Sequence, residues 1–300
     1  MQFSLPQLSY THKNLTDFQP PIRNDGRAAN QLRAFSGQVD VLPGANGSAR
    51  VKCGSVVEVV VGVKAEIGEA DSKRGGAFLA SVEVPTFIAQ QNRENDPVPA
   101  FLTRSMQALL DQLDTKYLQF TPSRAWTVYV DAVVVTCAVA DEQLLTALSL
   151  ATRLALLCTR IPRISTPDVS EDIIGSSKYE PSEEFDADPD WDHALPLQGL
   201  DAMSVIVAAS VVDQVVLIDP TPEEASVSQA TYAVAVQPSG NIAYTRSILN
   251  AGGYASTGLA VSPAQWLEMT QVASKAGIEL VKASDQILSF SSHDLQDILP

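Results

Sequence analysis

Apolar residues along this 300-residue chain fall into blocks whose period changes from two to about three and a half. Alternation or unbroken β-branched runs mark "GSARVKC" (47–53), "VVEVVVGVKAEI" (56–67), "AFLASVEVP" (77–85) and "RAWTVYVDAVVVTCAV" (124–139) as strands. The second of these is too apolar for an exposed edge, which predicts a central, largely buried strand. Helical spacing takes over from Ala100 to Leu113, where Phe101, Leu102, Met106, Leu109, Leu110 and Leu113 share a face. It returns in "DEQLLTALSLATRLALLC" (141–158), a core helix with Asp141 placed to cap its start. Near the N-terminus, Ser4 and Pro6 open a short helix carrying Leu8 and Leu15. After the proline pair at 20–21, Asn24, Asp25 and Gly26 in "IRNDGR" form a turn.

The pattern stops between about Thr166 and Leu195, where Pro, Ser, Gly and dense acid predict a solvated insertion or connector. Strands resume with "MSVIVAASVVDQVVLIDP" (203–220), followed by a hairpin of "YAVAVQP" and "NIAYTRSIL" about a Ser-Gly turn. Ser262 and Pro263 then start a long helix with Trp266, Met269, Ala273, Ala276 and Leu280 in one stripe. The second half thus repeats the order of the first, strands and then a packed helix, in an α+β architecture. The divisions are an N-terminal helical extension (1–21), a first half (22–165), an acidic insertion or linker (166–195), and a second half with the C-terminal helix (196–300).

Charge changes this picture. The chain carries a net −15, unevenly spread. Residues 165–230 hold fifteen carboxylates against Lys178, whereas residues 1–64 hold seven Lys/Arg against Asp17, Asp25, Asp40 and Glu58. The two regions present different fields, and only the basic one suits a polyanion. Neither a run of eighteen apolar residues nor a basic-then-apolar leader occurs, so no membrane association is expected and cytosol or nucleus is the expected compartment. Cys53, Cys137 and Cys158 are odd in number and set in apolar sequence, which fits reduced, buried thiols. With His12, His193 and His293 they form no metal-ligand spacing, and no metal or other cofactor is expected.

Phosphate-binding, dinucleotide-binding, nucleophile-elbow and zinc-protease motifs are all missing from the sequence. "NAGGYAS" (250–256) reads as a flexible turn with no basic neighbour to hold phosphate. "IRNDGR" is either an anion-binding turn with Arg23 and Arg27 or a structural turn whose arginines pair with acidic neighbours. "QVVLIDPTPEEAS" (214–226) places Asp219 at the mouth of a strand, as one half of an acid/base pair or as its remnant.

Taken in order and spacing, "IRNDGRAANQLR", "NGSARVKCGS", "VVVGVKAEIG", "WTVYVDAVVV", "TRIPRI" and "LIDPTPEEA" resemble the RNase PH family of exosome ring proteins. The resemblance runs from about Ile22 to Val281. It implies a duplicated βαβα two-layer fold of the ribosomal protein S5 domain 2 type. It also implies assembly with other RNase PH-like subunits into a six-membered ring that threads single-stranded RNA 3′ end first. S1/KH-type cap proteins on one face, a separate associated ribonuclease on the other, and residence in nucleus, nucleolus and cytoplasm follow as expectations.

Active members of that family use inorganic phosphate to attack the terminal phosphodiester, which needs a cation to hold phosphate and a carboxylate to protonate the leaving oxygen or hold a metal. The resemblance puts Leu145 where such members carry the phosphate-site arginine, and Ala225 where they carry the second of two aspartates, leaving Asp219 as a remnant. The shift of Glu223 and Glu224 by one or two helical positions, about 100° per residue, disqualifies them as replacements. Asp219 is then expected to cap the turn made by Pro220 and Pro222. A non-catalytic subunit is the first expectation; a phosphorolytic exoribonuclease completed by a neighbouring subunit is the alternative. For RNA contact the resemblance marks Arg104, with Ala108 where a second arginine can occur, and charge alone adds Arg93 in the preceding loop.

Overall fold

The computed structural model describes residues 3–54, 57–71, 74–85, 97–137, 142–165, 184–248, 261–289 and 296–297. Helix α1 (Leu5–Thr16) opens on a reciprocal cap in which the Ser4 N–H donates to Gln7 Oε1 at 3.0 Å. Strands β1 (Phe35–Val39), β2 (Gly47–Cys53) and β3 (Val57–Glu69) form an antiparallel meander. Then β4 (Ala77–Glu83), α2 (Pro97–Leu110) and β5 (Arg124–Cys137) make a parallel crossover that sets β5 between β3 and β4. Alternation does what the sequence predicts: Val57, Val59, Val61 and Val63 of β3 are buried, and their partners on β5 are Cys137, Val134, Ala132 and Val130, buried in turn. β3 is central, but only this face is fully covered.

Helix α3 (Glu142–Leu157) is apolar all round and is buried all round from Leu144 to Leu156. One side packs on β2 and β3, the other on β10 (Val205–Val212), every residue of which is buried. Gly47 is required for this approach, because a Cβ there would lie 2.6 Å from the Ala155 carbonyl oxygen of α3. The second sheet continues through β11 (Val215–Ile218), the short α4 (Pro222–Val227), β12 (Ala230–Val236) and β13 (Ile242–Ile248), in the order β11-β10-β12-β13, all antiparallel. The long helix α5 (Pro263–Ser289) buries Met269, Ala273, Ala276 and Leu280 against this sheet and reaches β1 at its far end. Trp266 stays partly exposed, edge-on to Tyr232 with ring centroids 4.9 Å apart.

The two halves share one core, and Arg153 fastens them from within it. Its guanidinium, on α3, donates to Ser284 Oγ at 3.0 Å, to the Met203 carbonyl at 2.8 Å and to Asp285 at 3.0 Å. Helix α1 covers the far side of the second sheet, where Leu8 and Leu15 meet Val212, Leu217 and Val227. Cys158 is held against the carbonyls of Ser48 and Ala155, and burial pushes its thiol up to about 11, so it stays protonated.

Several expectations need adjustment. The acidic connector ends earlier than residue 195. Two-residue strands Asp186–Ala187 and Leu195–Pro196 return antiparallel to Ile164–Ser165 and Arg160–Ile161, and Phe185 packs edge-on against Phe120 at 5.1 Å. Asp141, Arg93 and the "NAGGYAS" stretch lie outside the described residues. Among the described residues no helix is long and apolar enough to cross a membrane.

Strand β4 forms one edge of its sheet, and α2 closes it. The Gln107 carboxamide accepts from the Ala80 N–H at 2.9 Å and donates to the Phe78 carbonyl at 2.9 Å, while Thr103 Oγ1 accepts from Val82 N–H at 3.2 Å. One side chain thus imitates a paired strand. Replacing Gln107 with Leu leaves two edge groups unpaired. It is expected to cost about 1–3 kcal/mol in urea unfolding and to raise light scattering on storage.

Candidate functional site

The segment 22–33 is folded back on itself by turns. Gly26, at φ +77°, closes a turn from Arg23, and Asp25 accepts from the Arg27 N–H at 3.1 Å and Nε at 2.7 Å. This coil directs Arg23, Arg27 and Arg33 at the end of β11. There Ile218 N–H bonds to the Ala29 carbonyl at 2.8 Å, and Asp219 N–H bonds to Ala208 at 2.8 Å. Asp219 itself sits in the left-handed region at φ +51°, which turns the chain before the Pro220-Thr221-Pro222 stop.

The Asp219 carboxylate is 7% exposed and saturated with donors. Arg33 clamps it with Nη2 on Oδ1 at 2.6 Å and Nε on Oδ2 at 2.8 Å, and adds its own backbone N–H to Oδ2 at 2.9 Å. Arg27 Nη1 supplies a fourth donor to Oδ2 at 2.9 Å. The Asp219 carbonyl accepts from Arg23 Nη2 at 2.8 Å and Arg27 Nη2 at 2.9 Å. Arg23, whose side chain is fully buried, also makes a two-pronged pair with the equally buried Glu224, at 2.9 and 2.7 Å. Burial alone would raise the Asp219 pKa, but the hydrogen bond and charge of Arg33, and then the charge of Arg27, hold it below the usual carboxylate value.

Three guanidinium groups therefore face three carboxylates, those of Asp25, Asp219 and Glu224. Of the two readings of "IRNDGR", the paired, structural one holds; no surplus cation remains in this cluster to attract phosphate. The expected role of Asp219 as a turn cap is corrected. Thr221 caps α4, accepting from Glu224 N–H at 3.2 Å while Glu224 Oε2 accepts from Thr221 N–H at 2.8 Å. The left-handed backbone at Asp219 turns its carboxylate toward the arginine coil.

The two positions that the resemblance singled out are both in the core. Leu145 is buried in the first turn of α3 and Ala225 is buried in α4. Neither offers a polar atom to a ligand. Arg104 lies on the exposed side of α2, remote in sequence and element from the Asp219 cluster. Sequence reading missed Arg33 and Glu224 as members of the cluster. Their partners are 186 and 201 residues distant, and a lone arginine or a helix N3 glutamate carries no local signal of such a pairing. It also missed Tyr244 and Arg246 of β13, which reach α2: Tyr244 Oη donates to the Ser105 carbonyl at 3.1 Å, and Arg246 lies over the Phe101 ring.

Comparison with known proteins agrees with this architecture. The profile of the 3′ exoribonuclease family, domain 1 (RNase PH), matches residues 31–162, and that of domain 2 matches residues 202–276. The chain is 57% identical over 300 residues to a fission yeast (Schizosaccharomyces pombe) protein named exosome complex component rrp42, covering all of both chains. It is 30% identical over 244 residues to exosome complex component Rrp42 of Methanothermobacter thermautotrophicus, covering 77% of this chain and 81% of that one. Among solved structures, a chain of an archaeal exosome core superposes with a TM-score of 0.66 at 23% identity, covering 94% of this chain and 96% of that one. A chain of the Archaeoglobus fulgidus exosome with RNA bound to the active site gives the same TM-score, covering 92% and 97%. The α+β class and the RNase PH-like fold expected from the sequence are those of the structure.

Two outcomes are expected of the cluster. Asp219→Asn removes the charge that Arg27 and Arg33 pair with and is expected to destabilise the chain by about 3–5 kcal/mol, read from chemical denaturation. Because the Asp219 pKa is depressed on folding, its stabilising share is complete above the unfolded value near 4 and is lost as pH falls through the folded value. Denaturation midpoints taken between pH 7 and pH 2 are expected to drop below about pH 4 in the wild type, and to drop less in Asp219→Asn.

Proposed function

The chain belongs to the 3′ exoribonuclease family typified by RNase PH, and from that premise we propose that it is a non-catalytic ring subunit of the RNA exosome. In this role it helps form the channel that threads single-stranded RNA for 3′ to 5′ processing and decay. The full-length similarity to fission yeast exosome complex component rrp42 supports membership of that assembly. Its partners are other RNase PH-like subunits on either side, S1/KH-type cap proteins and a separate ribonuclease, and it works in the nucleus, nucleolus included, and in the cytoplasm.

The observation that carries the non-catalytic reading is the saturation of Asp219. A general acid must carry a proton near neutral pH, and a metal ligand must keep a lone pair open. A buried carboxylate with four N–H donors and a depressed pKa does neither. Leu145 and Ala225, both in the core, add no cation and no second acid. RNA contact falls instead to Arg104, exposed on α2, and, on charge alone, to Arg93, which lies outside the described residues.

Incubating the isolated chain, and the ring purified from its own cells, with single-stranded RNA and orthophosphate is expected to release no nucleoside diphosphate that depends on this subunit. Diphosphate release abolished by Asp219→Asn in a ring that still assembles would instead establish a phosphorolytic site shared with a neighbour.

A further inference from the structure

Arg104 is the exposed residue between two anchored ones. Thr103 is tied to β4 through Val82 N–H, and Ser105, which is buried, is tied to β13 through Arg246 and Tyr244. Arg246 Nη1 donates to Ser105 Oγ at 3.3 Å, and its guanidinium lies 5.3 Å from the centre of the Phe101 ring. Phe101, Arg104, Ser105 and Ala108 follow one another at spacings of three and four, so they make one continuous strip along α2. Arg246 lies against Phe101 and Ser105 of that strip, and Arg104 is its exposed member.

The described arginines fall into two sets, those with a carboxylate partner and those without, and Arg124, Arg160 and Arg163 join Arg104 and Arg246 in the second. Arg23, Arg27, Arg33, Arg50, Arg74 and Arg153 each have a carboxylate partner. Among the described residues neither Arg104 nor Arg246 has one, in a chain whose net charge is −15. The guanidinium of Arg246 has five N–H donors, and among the described residues a single side-chain bond uses them. A half-buried guanidinium stacked on an aromatic ring, with donors left over and no counter-charge, is arranged to accept an anion. Tyr244 beside it does not supply that anion, because burial raises the pKa of its phenol and keeps it neutral.

We infer that Arg246, from the second half of the chain, is a phosphate-binding cation that acts together with Arg104 on the backbone of single-stranded RNA. This rests on the reading of Arg104 as an RNA contact and extends it to a residue on a different sheet. Contact by guanidinium groups to phosphates is indifferent to base sequence.

The test measures the binding of a single-stranded oligouridine to the assembled ring at several salt concentrations. Each phosphate contact contributes about −0.7 to the slope of log affinity against log salt for a single strand. Arg104→Gln and Arg246→Met, the second keeping the apolar cover over Phe101, are each expected to make the slope shallower by about 0.7; together they shift it by about twice that. Arg246→Lys is expected to keep the wild-type slope. An Arg246→Met ring with lower affinity but unchanged slope would show a packing role only and overturn the inference, as would a change confined to Arg104→Gln, which leaves the RNA-contact reading of Arg104 standing. Unchanged slopes in both single variants would overturn that reading and the inference together.

Discussion

A buried carboxylate must find donors for all of its lone pairs or give up its charge, and in this chain Asp219 solves the problem with arginines from the opposite end of the sequence. The solution fixes far more than one side chain. Arg23, Arg27 and Arg33 sit in a segment with no regular secondary structure, and their pairing is what holds that segment against β11 and α4. The order in which β1 enters its sheet and α1 reaches the far side of the second sheet depends on this attachment. Each guanidinium also binds main-chain carbonyls, at Ile218, Asp219, Ala28, Gln31 and Pro220, so the cluster ties backbone to backbone and does not merely neutralise charge.

Helix α3 supplies the second constraint. Because it is apolar on every side, neither sheet can cover it alone, and the two halves of the chain have to close around it. The price of that closure is a set of polar groups deep in the core, and two of them are answered locally. Arg153 finds Ser284, Asp285 and the Met203 carbonyl, and Ser149 accepts from the Ile206 N–H at 2.9 Å. The edge at β4 is answered in the same manner by Gln107, so the open side of the first sheet is closed by a helix of the same chain.

The fold was legible because its signals are periodic and local. The runs at 56–67 and 124–139, the largely apolar stretch from Leu144 to Leu156, and the Ser262-Pro263 start each announce an element without reference to the rest of the chain. The α5 start is capped as expected, with Gln265 and Ser262 exchanging backbone-to-side-chain bonds at 2.8 and 3.3 Å. The site was less legible, because its meaning lies in pairings across nearly two hundred residues. Asp219 read as a remnant from a motif comparison, but nothing near it in sequence says that its oxygens are occupied. For the same reason Arg33 carries no local signal of its pairing, Glu224 reads only as a displaced acid, and Arg246 is one charge in an alternating strand. The acidic connector was extended too far because composition is blind to short strands such as Asp186–Ala187, which depend on a partner at Ile164–Ser165.

The same carboxylate cannot serve as a clamp and as a working acid, and the physical chemistry of the two roles points in opposite directions. A clamp is strongest when every lone pair is taken and the pKa is driven down; an acid works when the proton is held near neutral pH and the oxygens are open to a reacting group. Asp219 sits at the first extreme. A local change that restored chemistry there would have to withdraw Arg33 from the carboxylate, and with it the contacts that fasten residues 22–33 to the second half of the chain. Recovery of catalysis and integrity of the fold are therefore set against each other at one residue. That opposition gives a physical reason why, under the proposed non-catalytic role, the chain keeps this aspartate as a clamp.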